Sequence, residues 1–361
     1  MGELLMLLQA PINSLGYGVA GYNIAKQLAK QLENPSWTNQ ELTIFPIGQP
    51  EPELYEELAH LDWRNKDENT KWSDTSLKIW HQNGLHESVG KGKKIGFPIF
   101  ELNKFTEEEK RSMKGCHHLF VCSKWAKGVI EEELGTTPTV IPLGVDRSIF
   151  NENNNSHRPA TIFFNCGKWE IRKGHDVLLK CFEKAFNQND NVELWLLCEN
   201  PFIEQINKEW INYYKNSRLT NKIRILPRQK TQRDVYNIMR QVDCGVFPVK
   251  AEGWNLELLE LLSCGKNIIT TNYSGHTEFT NEKNAQLVEI TELEPAYDGI
   301  WFHGQGNWAK IGEKEINSFA EKMRYVYALK QEGELGLNIA GIETATHFSW
   351  QNTAKEILNG I

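Results

Sequence analysis

Glu252 and Glu260 stand eight residues apart in Glu252-Gly253-Trp254-Asn255-Leu256-Glu257-Leu258-Leu259-Glu260. The short apolar run Cys244–Val249 before them reads as a strand. After them Leu256, Leu259, Leu262 and Ser263 recur at helical spacing. The pattern puts Glu252 in a loop at the carboxyl end of a strand, and Glu260 about two turns into the following helix. Gly253 lets the backbone approach a ligand closely, and a helix N-terminus offers free N–H groups to an anion. That combination suits a polyhydroxylated, phosphate-bearing ligand, with one carboxylate on sugar hydroxyls and the other on ribose hydroxyls. By itself, the spacing also describes a solvated acidic loop followed by an amphipathic helix.

A basic set lies upstream. Gly167-Lys168-Trp169-Glu170-Ile171-Arg172-Lys173-Gly174 follows the apolar run Thr161–Asn165 and precedes a helical pattern over 176–186. Lys168, Arg172 and Lys173 therefore project from a strand-to-helix loop, where cations can hold a diphosphate and stabilise the charge that grows as it departs. An exposed basic turn has the same composition. Near the start, Asn13–Gly21 joins the first apolar run to the first helical one, and Gly16, Gly18 and Gly21 match G-x-G-x-x-G. Such a turn admits a phosphate at a helix N-terminus. The dinucleotide reading of that motif lacks its acidic partner, because the second strand, Thr43–Ile47, runs into Gly48. Glu101 ends the run Ile95–Phe100 and His81 ends Leu77–Trp80. Both lie at the strand ends where α/β folds bind ligands, although Glu101 equally suits a cap or a solvated position. His86, His117 and His118 follow no pattern that favours ligation.

Short apolar runs alternate with helical patterns along all 361 residues, which indicates α/β units with parallel sheets and two domains. The polar stretch 151–159, ending in Pro159, is the expected linker. It separates domains at 1–150 and 160–345, with a serine-capped helix in the remaining 346–361. Residues 289–312, with Trp301, His303 and Trp308 among glycines, read as a long loop near the domain boundary, with no assigned role. A net charge of −7 gives no electrostatic footprint for non-specific nucleic-acid binding. No apolar run is long enough to span a bilayer, and the opening Leu4–Leu8 lacks the basic lead-in of a signal peptide. Seven scattered cysteines, with no C-x-x-C pair, support neither a disulfide framework nor a zinc site, and indicate a reducing, cytoplasmic location.

Three segments carry a family resemblance: 243–280, including the Asn267–Glu278 strand and G-x-x-E turn; the 167–174 loop; and Val140-Ile141-Pro142-Leu143-Gly144-Val145-Asp146-Arg147-Ser148-Ile149-Phe150. Together they resemble the retaining glycosyltransferases of the GT-B fold, the glycogen-synthase-like and mannosyltransferase-like group. The resemblance implies two Rossmann-like domains facing across a cleft, with the C-terminal helix crossing back to the first. It implies a hexosyltransferase that moves a sugar from a UDP- or GDP-linked donor to an acceptor hydroxyl, needing no metal or other cofactor; no D-x-D is present. Residue by residue, it implies Glu252 on the transferred sugar, Glu260 on the ribose, Lys168 and Lys173 on the diphosphate, and Asn255 and Leu256 also on substrate. From the first domain it implies Gly16, Gly18, His81 and Glu101 around acceptor and sugar. Lys168 stands where the family usually has arginine, keeping the charge but not the bidentate fork, and Leu143 replaces the usual asparagine. A nucleotide-sugar epimerase on the same fold and a non-catalytic sugar-nucleotide binder are the alternatives. The acceptor could be a glycan, small molecule, protein or modified nucleic acid.

Overall fold

The structure, a computed structural model, describes residues 4–33, 40–64, 75–154 and 158–361. The chain forms two compact units, one of Met1–Gly144 with Phe348–Ile361, the other of Val145–His347. The units part at Gly144/Val145 and His347/Phe348, whereas the sequence reading put its boundaries at 150 and 345. The reason is local. The hinge residues after Gly144 fold onto the second unit, where Ser263 Oγ donates to Phe150 O and Asn153 N–H to Cys264 O. Residues 155–157 of the expected linker lie outside the described residues.

The first unit runs β1 (Leu4–Ala10), α1 (Gly16–Leu32), β2 (Gln40–Pro46), α2 (Pro52–Leu58), β3 (Asp62–Trp63), β4 (Thr75–Trp80), β5 (Lys94–Pro98), α3 (Glu107–Lys114), β6 (His118–Val121), α4 (Lys124–Leu134) and β7 (Thr139–Val140). Its strands pair in parallel in the order β3-β2-β1-β4-β5-β6-β7. The near-continuous apolar strands fit burial on both faces. Helix ends follow their local chemistry. Thr106 and Glu109 make a capping box at α3, Ser123 caps α4, and Gly135 closes α4 in the left-handed conformation. The last helix, α11 (Trp350–Gly360), begins at its Ser349 cap. Its Thr353 Oγ1 donates to Pro142 O at 2.7 Å. Gly144 is required there, since a Cβ would sit 2.1 Å from Trp350 N.

The second unit repeats the plan with β8 (Thr161–Gly167), α5 (His175–Ala185), β9 (Val192–Cys198), α6 (Glu204–Lys215), β10 (Ile223–Ile225), α7 (Gln232–Met239), β11 (Cys244–Phe247), α8 (Leu256–Ser263), β12 (Asn267–Thr271) and β13 (Gln286–Val288). The strand order is β10-β9-β8-β11-β12-β13. Phe163, Leu194, Val246 and Ile269 from this sheet pack with Leu178 and Phe182 of α5 and Phe319 and Met323 of α9 (Glu313–Gln331), and α10 (Ile339–His347) closes the unit. Residues 293–309, expected as a loop, form an antiparallel hairpin of β14 (Leu293–Tyr297) and β15 (His303–Ala309). Its bulge and its left-handed Gly299, Gly304 and Gly306 hide the strand alternation from a sequence reading. All seven cysteines are free and six are buried.

Candidate active site

In both sheets the strand order reverses once, between β1 and β4 and between β8 and β11. Ligands of open α/β sheets bind outside the carboxyl ends of the strands at such a switch point. In the second unit the loops leaving β8 and β11 are the two that carry the basic set and Glu252. Their approach depends on glycine. Gly174 is left-handed, and a Cβ there would fall 1.8 Å from Pro248 O. A Cβ on Gly275 would fall 2.0 Å from Gly253 O.

Charges alternate along the two loops. Lys168 Nζ lies 2.5 Å from Glu170 Oε1, Glu170 Oε2 accepts from Arg172 at 2.7 Å, and Arg172 Nη1 lies 2.9 Å from Glu252 Oε2. Glu252 Oε1 then meets Lys173 Nζ at 3.0 Å, and Lys173 also faces Glu257 at 3.5 Å. Burial alone would raise the Glu252 pKa, but Lys173 and Arg172 pull it down to about 2. Burial alone would lower that of Lys173, yet Glu252 and Glu257 hold it raised, so the ammonium stays charged. Arg172 also donates to Ala251 O at 2.8 Å and so ties the two loops together.

Glu260 differs. It is buried on α8, and burial first, then the neighbouring Glu257, pushes its pKa well above the usual carboxylate range. No side-chain partner compensates it among the described residues. A buried carboxyl without a partner costs stability, and such perturbed groups cluster at functional sites. Asn255 caps α8 from a left-handed φ of 80°, its side-chain oxygen accepting from Leu258 N, while its buried Nδ2 has no partner among the described residues. Leu256, half-buried, opens α8.

Sequence reading missed the supports beneath these groups. Ser274, with φ 73° and ψ −157°, occupies backbone space that glycine normally fills, and its Oγ accepts from Glu252 N–H at 2.9 Å. Among the described residues, Ser274 and Asn255 are the two non-glycine residues with positive φ, and both flank Glu252. His175 is fully buried. Burial, then Lys173, lowers its pKa to about 3, so the ring is neutral. It accepts from Glu170 N–H at 3.1 Å, and its other nitrogen meets Asn165 Oδ1 at 3.1 Å, which fixes the basic loop on β8. The alternation of polar and apolar residues gave no sign of that buried set.

The first unit has a polar group at its own switch point. Gly16 is exposed, and a Cβ there would meet open space. Gly18 is needed for packing, because a Cβ would fall 2.1 Å from Asn13 Oδ1. Tyr17 donates to Ile99 O, and its hydroxyl lies 3.3 Å from His81 Nδ1. Glu101, half-buried, follows β5. His81 and Glu101 thus lie in the loops leaving the carboxyl ends of β4 and β5, and Gly16 and Gly18 in the first turn of α1, which follows β1.

Residues 160–300 match the family described as Glycosyl transferases group 1. That match lies within the second unit. Solved structures are similar over the whole chain. They include a glycosyltransferase from Rickettsia africae ESF-5, 15% identical, with a TM-score of 0.71 over 99% of this chain and 98% of that one. HepE of Anabaena, solved with UDP and glucose, is 12% identical, with a TM-score of 0.72 over 99% of each chain. Sucrose-phosphate synthase from Thermosynechococcus elongatus is 12% identical, with a TM-score of 0.71 over 99% of this chain and 98% of that one. No curated protein matches in sequence. The chain is therefore a glycosyltransferase with the GT-B fold. No helix among the described residues is long and apolar enough to cross a membrane.

Proposed function

We propose that this glycosyltransferase is a hexosyltransferase that takes a sugar from a UDP- or GDP-linked donor and transfers it to an acceptor hydroxyl with retention, without an essential metal. The observation that carries this reading is the alternating chain from Lys168 to Lys173 at the second unit's switch point, beside the partnerless carboxyl of Glu260. Glu260 would gain its missing partners from the ribose hydroxyls. Lys168 and Lys173, each already beside a carboxylate, would turn to the diphosphate and offset the charge that grows on it as the glycosidic bond breaks. The amides at the start of α8 and the unpartnered Asn255 Nδ2 add donors to the same anion. Glu252, released from Lys173, would take hydroxyls of the transferred sugar and stay ionised at neutral pH because Arg172 remains beside it. The departing diphosphate would deprotonate the acceptor on the face it leaves, which gives retention. Gly16, Gly18, His81 and Glu101 would serve the acceptor and sugar from the first unit, and Leu256 the donor.

The likeness to HepE, solved with UDP and glucose, favours a uridine donor. The test is calorimetric titration of UDP, GDP and their hexose conjugates in EDTA, followed by turnover of Lys173→Ala with the donor so found. Saturable binding in EDTA and a loss of about 10²–10³-fold in kcat are expected. Near-normal turnover of the variant would sink the assignment.

A further inference from the structure

Two exposed aromatic rings converge on Lys168 from opposite parts of the second unit. Its Nζ lies 5.4 Å from the centre of the Phe202 ring and 5.9 Å from that of Trp301. The rings stand 6.4 Å apart at 76°, an open corner rather than a slot. Phe202 is 59% exposed and Trp301 49%, so neither ring is there to fill the core.

Both rings nevertheless sit on fastened backbone. Asp298 Oδ1 accepts the N–H groups of Ile300, Trp301 and Phe302 at 2.8, 2.8 and 2.9 Å, which sets the hairpin tip. Trp308 is buried at the hairpin's base, and Lys250 ties it down through Glu294 at 3.0 Å. On the other side, the buried Asn200 accepts from Phe202 N–H at 3.0 Å and Ile203 N–H at 3.1 Å. Exposed apolar groups held this firmly have lost their loop entropy in advance, as binding surfaces do.

The shape of the corner indicates what it binds. Lys168 joins it to the ion-pair chain that runs through Glu170, Arg172 and Glu252 to Lys173. A flat base would cover one wall of such a corner, whereas the C–H faces of a pyranose can press on both.

We propose that Phe202 and Trp301 form a saccharide-ring subsite beside Lys168, the ring being supplied by the donor's transferred sugar or by a sugar acceptor. The inference rests on the glycosyl-transfer reading above. Trp301→Ala, Phe202→Ala and the conservative Trp301→Phe would be compared with wild type. One arm measures affinities for UDP, UDP-glucose, GDP and GDP-mannose. The other measures saturation-transfer NMR of methyl α-glucopyranoside, methyl α-mannopyranoside and methyl β-galactopyranoside. If the ring is the donor's, the alanine variants lose about tenfold in affinity for the sugar nucleotide but not for the bare nucleotide. If it is the acceptor's, they lose saturation transfer from a glycoside instead. Trp301→Phe restores most of either effect. Alanine variants equal to wild type in both arms overturn the subsite. So does an equal loss for bare nucleotide and sugar nucleotide with no change in the glycoside arm, since Trp301 would then act only through Lys168. Failure of every nucleotide to bind wild type counts against the glycosyl-transfer reading instead, while the glycoside arm still decides the subsite.

Discussion

Glu252→Gln keeps the side chain's shape and removes its charge. The carboxylate is 7% exposed and sits between Arg172 at 2.9 Å and Lys173 at 3.0 Å. A pKa held at about 2 against a reference of 4.5 corresponds to about 3 kcal/mol of stability at pH 7. Because the folded value is depressed, that contribution is complete above the unfolded carboxylate pKa and is lost as pH falls toward 2. The substitution leaves Arg172 with Glu170 and Ala251 O, but Lys173 with Glu257 alone at 3.5 Å. The expected loss of about 3 kcal/mol lowers the melting temperature of a unit this size by roughly 6–12 °C. Scanning calorimetry of wild type and variant at pH 7, 5 and 3 reads it directly. The gap should be full at pH 7 and at pH 3 roughly half as large or less. A variant that melts within 1 °C of wild type at pH 7, or a gap that widens on acidification, would refute the reasoning.

Glu260→Gln should act in the opposite sense. The raised pKa of Glu260 is a cost that appears as pH rises through the unfolded carboxylate range, so the variant should melt higher than wild type at pH 7 and equal to it near pH 4, while binding nucleotide sugar more weakly. Ser274→Gly removes about 1–3 kcal/mol of backbone strain but also the acceptor for Glu252 N–H. Its melting temperature should hold or rise while kcat falls, and a variant with wild-type kcat would show that the hydrogen bond does not position Glu252. Gly174→Ala drives a Cβ into Pro248 O at 1.8 Å. A loss exceeding about 3 kcal/mol in urea unfolding, with weakened nucleotide binding, is expected.

The parallel sheets were legible because each strand is an apolar run and each helix carries its own signals, as Thr106 with Glu109 does at α3. The strand-to-helix loops were legible for the same reason, since a reader who places β8 and β11 has placed Lys168, Arg172, Lys173 and Glu252. What joins those loops was not. The Arg172–Glu252 pair spans 80 positions of sequence, and nothing local in either loop names the partner. Ser274 reads as an ordinary turn residue until its φ is seen, and His175 reads as one more polar residue at a helix start until its burial is seen. The hairpin at 293–309 escaped because glycines break its alternation.

Charge and strain meet in one place in the second unit. Ser274 and Asn255 hold unfavourable backbone, Glu260 lacks a side-chain partner among the described residues, and three cations stand against Glu170, Glu252 and Glu257 in a chain buried at its middle and half-buried at its ends. A buried ion-pair chain is weak evidence for stability, since desolvation offsets much of the attraction. Its use lies in exchange. Each lysine can trade a carboxylate for a phosphate oxygen without ever standing alone, so the cost of holding bare cations ready for a ligand is avoided. That exchange requires Glu252 to leave Lys173 when diphosphate binds, while Arg172 keeps it ionised. Binding of UDP should therefore depend on Lys173 but change little in Glu252→Gln, whereas turnover should depend on both. Equal loss of UDP affinity in the two variants would mean that the carboxylate is part of the phosphate site's scaffold and not a group released to meet the sugar.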